Sequence, residues 1–292
     1  MSAISHHYLP QVYLRRFTPR DNRKLLWEYD KTTGTVREST PKKSGCEDLF
    51  HAFKKQDGSL DTDSIENHLG QIETRVDSVY EAVRMQRPLT KEEWAGFFAF
   101  AGSMSVRVPA FIDNLHRFTS DLYGFAFDIM KTKPKFRTSA EQLGVPAAAL
   151  DNIEVTADRD VPLLLSLGSM ETPIRLFSQM NWQFLLATAP DYFITGDVPV
   201  FHCAPAREKS IFPPGLADQD IEVTLPLSRT ICAFGKWQPT EGLYRQVNAR
   251  SVEVINARTA AAAKRYLYGP RKDSKSFGTR PSEPTITTSP KL

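Results

Sequence analysis

Residues 63–83 read DSIENHLGQIETRVDSVYEAV, and the parsing of the whole chain starts from this stretch. Ile65, Leu69, Ile72, Val76, Val79 and Val83 recur at steps of four and three, which is one apolar stripe along an amphipathic helix. Asp63 and Glu66 stand at capping-box spacing at its start, and Pro88 closes it. Thr90 and Glu93 repeat the capping pattern. They predict a second helix through Trp94, Phe97, Phe98, Ala101, Met104 and Val108, kinked or restarted at Pro109. The short link at Pro88–Leu89 makes these two helices antiparallel neighbours, with the first stripe packed on Phe97, Phe98 and Ala101. Leu115, Phe118, Leu122, Phe125 and Ile129 continue at helical spacing. The Lys/Pro-rich residues 131–135 read as a loop, and 140–150 and 160–180 as further helices.

Outward from this block the period changes. On the N-terminal side, residues 8–17 (YLPQVYLRRF) read as a strand carrying Pro10, and 24–30 (KLLWEYD) as a strand that turns at Gly34 and returns through 35–39. On the C-terminal side, 182–187 and 192–195 read as a hairpin, and 221–227 with 230–234 as a second one. Residues 250–268 read as an alanine-rich helix stopped by Gly269-Pro270. The order strand, long helical block, strand, helix predicts an α+β fold. Its helical middle packs on a mixed or antiparallel sheet built from the N-terminal and C-terminal strands, because neither strand set can cover its apolar face alone. The expected organisation is one domain over 1–270 and a disordered basic tail over 271–292.

Composition excludes more than it identifies. Of 292 residues, 41% are hydrophobic and 24% charged, the balance of a globular chain, and 37 basic against 34 acidic residues leave only +3. That charge does not demand nucleic acid, but it leaves room for a local basic groove. Cys46, Cys203 and Cys232 are too scattered for a disulfide scaffold or a zinc ribbon. No apolar run reaches the roughly 18 residues of a membrane span, and the opening MSAISHHYLP has no apolar signal core, so the expectation is a cytoplasmic protein without a membrane partner. Phosphate-loop, dinucleotide, H-E-x-x-H and G-x-S-x-G patterns are all missing.

Three polar groups remain as candidates. Ser5-His6-His7-Tyr8-Leu9-Pro10-Gln11, followed by Arg15, offers two imidazoles that a strand points to opposite faces. Each histidine is either a base, acid or metal ligand, or a packed core group. Phe193–Val200 carries Asp197 in a Gly-Asp turn, where the carboxylate either faces a cleft or makes an Asx-turn. Glu66 and Glu73 lie seven apart on one side of the first helix, and Arg107 precedes Pro109; boundary charges of this kind are usually solvated or paired at the surface.

The run His6-His7-Tyr8-Leu9-Pro10-Gln11-Val12-Tyr13-Leu14-Arg15-Arg16-Phe17 resembles the opening of the DUF4238 family, a bacterial group of unknown function. Trp27-Glu28-Tyr29-Asp30, Arg107-Val108-Pro109, Thr195-Gly196-Asp197-Val198-Pro199-Val200, Pro226-Leu227-Ser228 and a helix from Asn256 are similar to its later motifs. The Gly-Asp-Val turn departs from the Ser-Asp-Asn that the family more often carries. The resemblance implies a fold unit and a polar motif set, not an activity. It collects His6, His7, Gln11, Arg15, Arg107 and Asp197.

If these groups meet, they suit a phosphate-containing substrate or a metal-assisted hydrolysis. The expected function is a hydrolase of a phosphoester or nucleic-acid ligand. His7, with His6 as second choice, and Asp197 are its catalytic groups. Gln11, Arg15 and Arg107 are its substrate-binding groups, and a divalent metal is its candidate cofactor. The alternative is a binding or regulatory protein whose polar motifs are structural.

Overall fold

The computed structural model describes residues 5–19, 21–22, 24–204 and 215–272, so the expected tail beyond Lys272 lies outside the described residues. The fold is α+β. Strand β1 covers only Ser5–His7. The strand expected over 8–17 is instead a helical turn, α1 (Gln11–Leu14), running into a 3-10 turn at Arg15–Phe17. Pro10 is the reason: its ring fixes φ at −57°, and its carbonyl accepts the N–H groups of Tyr13 and Leu14. Tyr13, Leu14 and Phe17 are then buried together at helical rather than alternating spacing.

Strands β2 (Leu26–Asp30) and β3 (Thr35–Ser39) form the expected antiparallel hairpin, turning through Gly34 at φ +71°. Strand β4 (Cys46–Asp48) pairs antiparallel with β1, and β5 (Phe53–Lys54) with β6 (Leu60–Asp61). Helix α2 (Ser64–Arg84) buries Ile65, Leu69, Val76, Val79 and Val83, with Ile72 partly covered. Its start differs from the expected capping box. Asp61 takes that task, accepting the N–H groups of Asp63 and Ser64 and the Ser64 hydroxyl. Glu66 is thereby released for another partner. Helix α3 (Lys91–Val106) has the full Thr90–Glu93 capping box and buries Phe97, Phe100, Ala101 and Met104.

Helix α4 (Pro109–Lys131) restarts with Pro109 in its first turn, and its stripe is not a core stripe: Phe118 is 64% and Phe125 65% exposed. Helix α5 (Pro134–Gln142) and a 3-10 turn at Ala147–Asn152 follow. The helix expected over 160–180 is two, α6 (Asp160–Gly168) and α7 (Glu171–Gln179). Gly102 lets α7 approach α3, since a Cβ there would stand 2.4 Å from Ile174 Cγ1.

Of the two expected C-terminal hairpins the second forms and the first, 182–187 with 192–195, does not. Strand β7 (Asn181–Ala187) is buried on both faces and needs neighbours on both edges. It pairs antiparallel with β11 (Ile231–Lys236) and parallel with β12 (Tyr244–Val247). Strand β10 (Glu222–Ser228) joins β11 in the expected hairpin and carries β9 (Phe201–Cys203) on its other edge. The segment after β7 leaves this sheet: β8 (Thr195–Gly196) pairs with β13 (Tyr266–Gly269), which pairs with β2. Helix α8 (Ala249–Ala262) is shorter than expected, because the chain turns at Ala263 to become β13. The N-terminal hairpin thus meets the C-terminal half through β13. Tyr13 adds a second tie, its hydroxyl 2.6 Å from Thr195 Oγ1 and donating to the Pro226 carbonyl at 2.8 Å. One buried apolar cluster extends from Tyr8 to Tyr268, with Phe97, Phe177, Trp182 and Phe184 ring against ring. No single helix among the described residues is long and apolar enough to cross a membrane.

Candidate functional site

The alternation of β1 separates its two histidines. His6 turns inward and is fully buried, while His7 is half-buried on the opposite side. His6 accepts the backbone N–H of His51 at Nδ1, 2.9 Å away, and the two imidazoles lie nearly parallel with centroids 6.0 Å apart. His51 Nδ1 is hydrogen-bonded to Glu66 Oε1, the carboxylate freed from helix capping. One donor atom from each of His6, His51 and Glu66 lies within 4.8 Å of the others.

The chain reaches this geometry through a strained turn. Leu49 has φ +53°, the left-handed region that costs a non-glycine residue about 1–2 kcal/mol. Arg159 holds the turn by donating to the Leu49 and Phe50 carbonyls at 3.2 and 2.9 Å. Backbone strain held in place by surrounding contacts concentrates at functional sites.

The protonation states follow from burial and partners. Burial drives the His51 imidazole down to about 4, against the opposing pull of Glu66, so the ring is neutral at physiological pH. Burial of Glu66 disfavours its charge, but the His51 hydrogen bond and the nearby Arg107 guanidinium outweigh this and lower its pKa. With the ring proton on Nδ1 facing Glu66, His51 Nε2 carries a lone pair. That atom is enclosed and has no hydrogen-bond partner among the described residues. An enclosed imidazole with an unused lone pair on one nitrogen and a carboxylate on the other can accept a proton, or give up its Nδ1 proton and share an ion with that carboxylate.

Arg107, expected near the surface, is 1% exposed and braces β1 against α2. It donates to the His7 carbonyl and, at 2.8 Å, to Glu73. Two carboxylates seven apart on α2 therefore serve two sides of one seam, Glu66 toward His51 and Glu73 toward Arg107. The His7 ring bonds the Lys42 carbonyl at 3.1 Å, and burial lowers its pKa.

Of the expected residues, His6, His7 and Arg107 share this seam. The Asp197 carboxylate accepts the N–H groups of Lys264, Arg265 and Tyr266 at 2.8, 2.7 and 3.0 Å, which ties the α8–β13 turn to β8. Neither the Asx-turn nor the His7 partnership expected of it is what the carboxylate makes here. Gln11 begins α1, and Arg15 lines a separate cleft described below. Sequence reasoning passed over His51, which stands in no periodic pattern. It also took Glu66 for a cap or a surface charge. The available signal was that Asp61 offered a competing cap.

The fold and the seam define an α+β protein with a buried His–His–carboxylate cluster. The chain matches the model of DUF4238, described as a protein of unknown function, over residues 5–273, and it belongs to that family. No curated protein and no solved structure matches the chain.

Proposed function

We propose that the protein is a metal-assisted hydrolase of phosphoester bonds, with His6, His51 and Glu66 as the metal-binding group. The carrying observation is that donor atoms of two histidines and one carboxylate stand within 4.8 Å of one another in a buried seam. Two imidazoles and a carboxylate are the donor set of catalytic zinc sites, which keep a further position open, and taking up an ion here releases the His51–Glu66 bond and the His51 N–H bond to His6 Nδ1. Such an ion supplies a nucleophilic hydroxide at neutral pH and polarises a phosphoryl oxygen. In this reading Glu66 contributes the carboxylate that the sequence suggested from Asp197, Arg107 holds β1 at a fixed distance from α2, and His7 is the neutral imidazole nearest the seam's outer side. Glu66 gives access, because its side chain is 29% exposed while His51 is closed over.

The competing reading makes the cluster a structural brace, which the full burial of both imidazoles favours. Metal analysis of the purified protein, with hydrolysis of a chromogenic phosphodiester in added Zn²⁺ or Mn²⁺, separates the two. The proposal expects one ion per chain and metal-dependent turnover, both lost in Glu66→Gln with the fold retained. A wild-type chain that takes up no ion and hydrolyses nothing, while Glu66→Gln only lowers stability, establishes the brace.

A further inference from the structure

About eleven residues further along α2 than Glu66, roughly 16 Å at the helical rise, lies a cleft of about 800 Å³. Arg15, Arg16, Arg84 and Arg229 line it, opposed by Asp77 and Glu81. Four guanidinium groups against two carboxylates leave it cationic. The pairing is also lopsided. Arg84 holds Glu81 at 2.9 Å, but both side chains are at least half exposed, so water competes for that pair. Arg229 donates to the Thr18 carbonyl at 2.7 Å, which fixes its guanidinium at the wall. Arg15 is exposed at the rim.

Arg16 is the informative member. Its side chain is 9% exposed, lies over the Tyr80 ring at 4.6 Å, and pairs with Asp77, whose own side chain is 69% exposed. Its Nη1 is enclosed and has no hydrogen-bond partner among the described residues. Burial lowers the Arg16 pKa, and the Asp77 charge and hydrogen bond, pulling the other way, do not restore it. A buried guanidinium held by one solvent-facing carboxylate is under-compensated, and planar bidentate recognition of phosphate is the chemistry arginine performs best.

We propose that this cleft is a phosphate-binding site, in which a phosphoryl group displaces the exposed Asp77 carboxylate from Arg16 and is shared with Arg15, Arg84 and Arg229. Asp77 occupies the position of the anion's oxygens when the site is empty, so it competes with the ligand. The inference does not depend on whether the histidine cluster holds a metal. It identifies a phosphate group carried either as a free anion or within a phosphodiester chain.

The test is calorimetric titration of the full chain with inorganic phosphate in one arm and a short single-stranded oligonucleotide in the other. Both arms use wild type, Asp77→Asn and the double variant Arg15→Gln/Arg84→Gln, whose exposed positions leave the fold intact. The site predicts saturable binding in at least one arm, weakened about tenfold or more in the double variant, since each lost charged hydrogen bond removes about that factor. It predicts tighter binding in Asp77→Asn. Tighter binding of the oligonucleotide than of phosphate assigns the site to a phosphodiester chain; binding of phosphate alone assigns it to a free anion or monoester. Absence of binding in both arms, or affinities indifferent to all three substitutions, overturns the proposal.

Discussion

At the scale of single residues, Glu66 and Asp197 show how one side-chain type divides into two tasks. Glu66 opens a helix, where a carboxylate ordinarily stabilises the first turn, yet its oxygen is turned to His51. Asp197 sits past a strand end, where a carboxylate could face solvent, yet it is 6% exposed and accepts three backbone N–H groups. Replacing Asp197 by Ala removes the shared acceptor of three N–H groups in a part-buried turn. A hydrogen bond to a charged group contributes about 1.5–3 kcal/mol, and water replaces part of what these donors lose, so Asp197→Ala should cost a few kcal/mol of stability. Metal content should be unchanged in the surviving folded fraction. Denaturant melts run beside metal analysis check both; loss of the ion at full stability would move Asp197 into the site.

At the scale of elements, α2, α3 and α4 have similar sequence periodicity and different fates. Leu69 is 1% exposed in the stripe that α2 buries, whereas Phe125 on α4 is 65% exposed. Leu69→Ala should cost roughly 2–5 kcal/mol and Phe125→Ser within about 0.5 kcal/mol, read from denaturant midpoints. Helix α3 adds a pH dependence at its start. Arg87 holds the Glu93 carboxylate with two hydrogen bonds and the Thr90 N–H adds a third, together lowering it from 4.5 to about 2. A carboxylate depressed in the folded state stabilises fully above its ordinary value and loses that contribution as the pH falls through the depressed one. Wild type should therefore exceed Glu93→Gln in stability at neutral pH, with the gap closing between pH 4.5 and 2. A gap that stays constant through this range would show that the Glu93 charge contributes nothing.

Periodicity made α2, α3 and the β2–β3 and β10–β11 hairpins readable, because each is decided by residues within a turn or two. The pairing of β7 with β11 and β12 was not readable, since a strand buried on both faces carries no alternation to name its neighbours. The burial of Arg107 was equally hidden. Its partners, Glu73 and the His7 carbonyl, lie 34 and 100 positions away, and no local pattern encodes them. The site divides in the same way: His6 and His7 were conspicuous as a pair, while His51 enters only through the left-handed Leu49 turn.

At the scale of the whole molecule, Tyr13 ties the N-terminal segment to both C-terminal sheets. It is fully buried, bonds Thr195 in β8, which pairs with β13, and donates to Pro226 in β10. Tyr13→Phe keeps the packing and removes the shared proton, so it should cost about 1–3 kcal/mol. The loss should appear as one cooperative shift seen by both tryptophan fluorescence and far-ultraviolet dichroism. Two separated transitions would mean that the halves unfold independently.

A metal centre in the seam between β1 and α2 would take its donors from residues 6, 51 and 66. Its most direct test is a crystal grown with Zn²⁺ and measured on both sides of the zinc absorption edge. One anomalous peak per chain is expected within coordination distance of His6, His51 and Glu66, and none in crystals of Glu66→Gln. Density without an anomalous peak, with His51 still bonded to Glu66 and His6 still accepting the His51 backbone N–H, would contradict it.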